Sequence, residues 1–189
     1  MLVNTDGLVL IGQGSEWFWS MLQFVIVAVT LLGIYYQLRI SQSANAFAQL
    51  GGLVDEWQGE WLVRKRIGVL VALRDGAAPA DVPDAAAAAI ANFWEKVGAL
   101  VRAGHIDRSL VVEGFVGAQD WWGILAPWVL KVRKDDANPS FWEHFEWLAG
   151  TMVRLHPEAA FDQQSFDRRL EERITANEVD LRDREAMRR

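Results

Sequence analysis

Apolar and polar positions are distributed unevenly along this chain, and the first dense apolar block sets the reading of the rest. Trp17 to Leu38 reads WFWSMLQFVIVAVTLLGIYYQL, without one charged residue. At ~1.5 Å rise per helical residue, it reaches across the ~30 Å hydrocarbon layer of a bilayer. Trp17 and Trp19 at its start and Tyr35 and Tyr36 near its end put amphipathic rings where the two membrane interfaces would lie, and Arg39 closes it with a positive charge. The pattern predicts a transmembrane helix rather than the buried core helix of a soluble protein. Core helices are usually shorter and seldom carry aromatics at both ends. Ser20, Gln23 and Thr30 are polar members in its interior, and no Gly-xxx-Gly spacing points to a tight helix dimer.

After Arg39 the helical pattern is expected to continue. Ile40, Phe47, Val54 and Trp61 recur every seven residues, with Leu50 and Trp57 between them. Such a seam suits a coiled coil between copies of the chain, or one face of a long helix packed on its own domain. Gly51, Gly52 and Gly59, each costing ~1 kcal/mol relative to Ala in a helix, favour the second reading, with a break near Gln58-Gly59. Val63, Ile67, Leu70 and Val71 then form a stripe opposite the basic run Arg64-Lys65-Arg66, read as a solvated face.

Asp84 is a candidate N-cap for a helix carrying Ile90, Phe93, Trp94, Val97, Leu100 and Val101 on one side, and Gly104 a candidate C-terminal cap. Asp107 is placed to cap a helix burying Leu110, Val111, Phe115 and Val116. Trp121, Leu125, Trp128 and Val132 make the next stripe, which Pro127 should kink or divide. Pro139 suits the first turn of a helix with Phe141, Phe145, Leu148, Met152 and Leu155 on one face, ended by Pro157. From Phe161 onward charge dominates. Phe166, Leu170 and Ile174 give a thin docking stripe, beyond which a solvated helix is expected.

No sustained alternation of period two appears. The expected fold is all-α: one N-terminal transmembrane helix followed by a cytosolic multi-helix bundle. The expected divisions are an N-terminal tail over 1–16, the span over 17–38, a helical domain over 39–160 and a charged helical tail over 161–189.

Composition narrows the functional classes. The 189 residues include no cysteine, which removes disulfides, thiolate metal sites and cysteine nucleophiles. A net charge of −6 argues against nonspecific nucleic-acid binding. Asp6 and Glu16 precede the span and Arg39 follows it, so the positive-inside rule puts the N-terminus outside and the domain in the cytoplasm.

Candidate chemistry is sparse. Gly12-Gln13-Gly14 lacks the third glycine and the context of a phosphate-binding turn. Glu143 and His144 are adjacent and diverge by ~100° on a helix, without zinc-protease spacing. His105 and His156 fall at helix ends. No catalytic, cofactor-binding or metal-binding residue is assigned. Most of the ten tryptophans fit helical core stripes. Trp122 and Trp147 are the least committed to these stripes and are candidates for a partner-contact surface.

Several segments taken in order carry a resemblance: Tyr35-Tyr36-Gln37-Leu38-Arg39 at the end of the span, Asn92-Phe93-Trp94-Glu95-Lys96-Val97-Gly98, Gly104-His105-Ile106-Asp107, Trp121-Trp122, and the run from Asn138-Pro139-Ser140-Phe141-Trp142 to Leu148. Over roughly residues 20 to 155 the chain resembles a bacterial family of membrane-anchored helical domains of unknown function. The resemblance implies a bacterial single-span protein with a cytosolic helical domain at the inner membrane. It carries over no catalytic residue.

The functional expectation is a noncatalytic membrane-tethered interaction or regulatory module, contacting the bilayer and a protein partner but no nucleic acid, and needing no cofactor. Two alternatives stand beside it. One is a homo-oligomer assembled through the span and the seam Ile40, Phe47, Val54 and Trp61. The other is a membrane-associated enzyme using Glu143 and a pocket near His144.

Overall fold

The computed structural model describes the backbone of residues 16–114 and 117–187, and their side chains apart from 16, 38–47, 112–114, 159 and 187. The N-terminal tail with Gly12-Gln13-Gly14, the side chains of Arg39, Ile40 and Phe47, and Phe115 and Val116 therefore lie outside the described residues.

Among the described residues the secondary structure is entirely helical. Eight α-helices follow one another: α1 (Glu16–Trp57), α2 (Glu60–Arg74), α3 (Asp84–Arg102), α4 (Arg108–Gly114), α5 (Ala118–Asp135), α6 (Glu143–Leu155), α7 (Gln163–Arg168) and α8 (Leu170–Met187). Short 3-10 turns occupy Pro79–Asp81 and Pro157–Ala159. The chain divides into two compact units, residues 1–45 and 46–189.

The described part of the first unit is helix. Its Trp17–Gln37 segment has a mean hydropathy of 2.0 and is not buried by the rest of the chain. It is long and apolar enough to cross a membrane. Trp17, Trp19, Tyr35 and Tyr36 are all exposed, as are Phe24, Ile26 and Leu31 between them. Thr30 folds its hydroxyl back onto the Ile26 carbonyl at 2.8 Å, so its polar group is satisfied inside the helix.

The second unit is a helical bundle around Trp94, Phe145, Leu62, Leu70, Ile90, Leu125 and Leu148, all essentially inaccessible. The break expected at Gln58-Gly59 separates α1 from α2. On its α1 side, Leu53 is buried, and Leu50, Val54 and Trp57 pack against the core. Trp57 lies 4.8 Å from Phe93 and 5.0 Å from Trp94, ring centre to ring centre. Across the break the heptad phase is lost, so Trp61 stands out 63% exposed with the Lys65 ammonium 5.7 Å from its ring.

Several local expectations change. Asp84 is the first residue of α3, not its cap, and its carboxylate accepts a hydrogen bond from the Trp128 indole at 2.8 Å. α5 runs unbroken through the exposed Pro127. Pro139 precedes α6 by a full turn instead of opening it, and Phe141 and Leu155 fall outside the buried face, which holds Phe145, Leu148, Ala149, Thr151 and Met152. The buried face of α2 is Leu62, Val63, Arg66, Val69 and Leu70, so Arg66 points inward while Ile67 and Val71 are only half-buried.

Helix ends follow chemistry the sequence states openly. Gly104 has φ +74°, its N–H donates to Val101 and the His105 N–H to Leu100, closing α3 in the left-handed geometry glycine favours. The Asp107 carboxylate accepts from the Ser109 N–H at 2.8 Å just ahead of α4. Beyond Ile174, α8 is not simply solvated. It lies against α2, with Arg64 paired to Glu185 at 2.7 Å and Arg184 donating to Gln58 at 3.1 Å.

Candidate functional site

The two aromatic motifs, fifty residues apart, meet along one seam between α3 and α6. Positions Asn92, Glu95, Gly98 and Arg102 fall three or four residues apart and so share one face of α3. Each meets the start of α6 or the turn before it. Asn92 accepts the Trp142 indole N–H at 2.7 Å. Glu95 uses both carboxylate oxygens, one on His144 Nδ1 at 2.7 Å and one accepting the Phe145 backbone N–H at 2.9 Å. Arg102 lies 3.7 Å from Glu143. Gly98 is buried against the His144 main chain, and an added Cβ would overlap the His144 carbonyl oxygen.

This arrangement has a physical logic. The first amides of a helix lack intrahelical acceptors and carry the positive end of its dipole. α6 has no side-chain cap of its own, because its N-cap position is Trp142 in a left-handed conformation, φ 56°. Glu95 supplies the missing acceptor from the neighbouring helix. Below it, Trp94 stacks on Phe145 with ring centres 6.3 Å apart. The residues that gave the motifs their character therefore interlock two helices.

His144, the focus of the enzymatic alternative, is held by that lock. Its Nδ1 is engaged by Glu95, and its Nε2 is 3.9 Å from Glu143. His105 is exposed beyond Gly104, and His156 meets Glu158 at 3.0 Å. Among the described residues no three His, Cys, Asp or Glu side chains are grouped to hold a metal.

The two tryptophans expected at a contact surface are placed differently from each other. Trp122 is half-buried, edge-on to Phe145 at 5.1 Å and covered by Arg133 at 5.8 Å. Trp147 is half-buried with the guanidinium groups of Arg102 and Arg108 each 5.8 Å from its ring centre. Arg102 and Arg108 are themselves exposed. Tryptophan and arginine side by side make a surface of the kind enriched in interface hot spots. Trp61, assigned in sequence to a packing seam, is the most exposed tryptophan of the second unit.

Sequence reasoning also missed Arg66. It is only 9% exposed, its Nε is buried without a hydrogen-bond partner, and its guanidinium lies 4.3 Å from the centre of the Trp57 ring. Burial pushes its pKa down to about 10, with Asp180 opposing and Arg184 adding to the shift. A signal was available. Arg66 sits at helical spacing within Leu62, Val63, Val69 and Leu70, the place of an apolar residue.

Residues 69–152, less than half the chain, match the model of a domain of unknown function, DUF4760. The match takes in both halves of the α3–α6 seam and Trp147. It leaves out the apolar N-terminal helix, Arg66 and all of α7 and α8. No curated protein and no solved structure matches the chain.

Proposed function

We propose that this protein is a noncatalytic, membrane-tethered helical module that holds a partner protein at the inner face of a bacterial membrane. Trp17–Gln37 anchors it with the N-terminus outside, and the bundle faces the cytoplasm. The observation that carries this reading is a 21-residue apolar helix left unburied by a chain whose bundle has its own core. Leaving so much apolar surface in water is unfavourable by ~25 cal/mol per Å², so lipid is its natural surrounding. Supporting the noncatalytic reading, the imidazole of His144 and the carboxylate of Glu95 are engaged in holding α6. The partner face is Trp147 between Arg102 and Arg108, which suits an acidic segment able to meet both guanidinium groups. Tethering raises local concentration, so a modest affinity suffices.

A photo-crosslinking residue at position 147, activated in native membranes, tests this. The expected result is one heteromeric product, weakened several-fold when Arg102 and Arg108 are both changed to glutamate. Absence of any product, or one indifferent to those arginines, contradicts the partner face. A product of twice the chain mass would instead favour the homo-oligomer through Ile40, Phe47, Val54 and Trp61. That alternative has the exposed Trp61 in its favour, while Val54 is half-buried against its own core.

A further inference from the structure

Two hollows meet at Arg66. One, of about 240 Å³, is lined by Trp57, Arg66, Leu70, Trp121, Arg173 and Asn177, with Gly117 and Asp120 at its edge. The other, of about 280 Å³, adds Gln58, Ala176 and Asp180. The charges around them are unevenly spent. Arg173 is paired with Asp120 at 2.6 Å, and Arg184 with Asp180 at 2.9 Å. Among the described residues Arg66 has neither a carboxylate nor a carbonyl as hydrogen-bond partner, and it is about nine-tenths buried. A buried guanidinium normally meets an anion, because its desolvation is otherwise uncompensated. The guanidinium carbon stands 4.3 Å from the centre of the Trp57 ring, which offsets part of that cost but offers no carboxylate or carbonyl acceptor.

We propose that the Arg66 hollow is a binding site for a small monocarboxylate with an apolar or aromatic body. The guanidinium would grip the carboxylate through its paired N–H donors, and Trp57, Trp121 and Leu70 would enclose the body. A monoanion is selected because one cation is left over, while Asp120 and Asp180 at the rims repel a second negative charge. The space suffices, since a cavity of ~150 Å³ in a helical protein takes up benzene. This inference is independent of the partner face at Trp147. Trp57, Arg66, Arg173, Asn177 and Asp180 are among the residues used that fall outside the matched family segment.

The test uses the full chain in detergent, with benzoate as probe and benzyl alcohol and inorganic phosphate as controls. Binding is read by tryptophan fluorescence, since Trp57 and Trp121 form the walls, and by ligand-dependent thermal shift. Saturable benzoate binding is expected, at least tenfold tighter than either control. Arg66→Met should weaken it at least tenfold, and Arg66→Lys by a smaller factor, since lysine keeps the charge but loses the fork. Asn177→Leu, on an α8 face half open to solvent, provides a second variant that narrows the hollow and should also weaken binding. Benzoate binding no tighter than benzyl alcohol, or unchanged in the variants, overturns the proposal. A preference for phosphate overturns the carboxylate assignment.

Discussion

Gly98→Ala is expected to destabilise the bundle by about 3 kcal/mol, at the upper end of overpacking penalties in protein cores. Gly98 sits mid-helix, where glycine is ordinarily a liability and alanine would gain ~1 kcal/mol of helix propensity. The seam reverses that preference. An added Cβ would lie 2.7 Å from the His144 carbonyl carbon and closer still to its oxygen. The obstacle is main chain at the first turn of α6, so no rotamer change relieves it. Nor is α6 free to slide, because Glu95 grips the Phe145 N–H and the His144 ring one turn away. Gly123 is closely approached as well. A Cβ there would meet the Phe161 side chain rather than main chain, but with the Phe161 Cβ only 2.7 Å away a ring rotation does not relieve it, and the backbone at Phe161 would have to shift. For a domain of this size, 3 kcal/mol corresponds to a fall in Tm on the order of 10 °C. Thermal melts followed by near-ultraviolet circular dichroism measure it. A fall of less than about 2 °C would mean that α3 and α6 are not in main-chain contact there.

Arg66→Met is expected to have the opposite sign, stabilising the ligand-free protein by about 1–2 kcal/mol at neutral pH. Replacing a buried, unpaired charge by an apolar side chain of similar length commonly does so, and loss of the Trp57 contact sets the lower end of the range. The pH dependence separates this from ordinary repacking. Burial brings the Arg66 pKa down to about 10 from its ordinary value of 12.5. Between those values the unfolded chain binds the proton that the folded chain has released. Stability of the natural protein therefore rises with pH across that interval, and the penalty of the buried charge is fully present below pH 10. The advantage of methionine should accordingly be constant from pH 7 to 9 and shrink above pH 10. Urea denaturation of both proteins at matched pH values gives the comparison. An advantage undiminished at high pH would remove the buried charge as its cause.

Much of the architecture was legible because it is encoded locally. The apolar helix declares itself by composition and length, and the break at Gln58-Gly59 and the turn at Gly104 by the conformational freedom of glycine. The all-α character follows from uninterrupted helical periodicity. What escaped was encoded between distant residues. Asp84 has the chemistry of an N-cap, but its partner is the Trp128 indole forty-four residues on. Arg64, Lys65 and Arg66 look like one basic face, yet at ~100° per residue they point three ways. Arg64 goes to Glu60 and Glu185, Lys65 to Trp61, and Arg66 into the interior. α8 docks by the apolar stripe of Leu170 and Ile174 near its start, as the pattern suggested, and by ion pairs and polar contacts with α2 and Gln58 beyond it, so hydrophobic patterning underestimated only its far end. The seam itself was half visible. Its motifs stood out in the sequence, but only their meeting in space shows that Asn92, Glu95 and Gly98 contact α6 and the turn before it.

The central claim is that Trp17–Gln37 lies in lipid while the bundle stands in water, and the absence of cysteine allows one measurement to test it directly. Single cysteines at Leu31, within the apolar helix, and at exposed Asp162, in the bundle, are treated with a water-soluble maleimide in open membrane fragments. Cysteine at 162 should label fully and cysteine at 31 only after detergent or denaturant is added. Equal, rapid labelling of both without detergent would place the apolar helix in water and contradict the account.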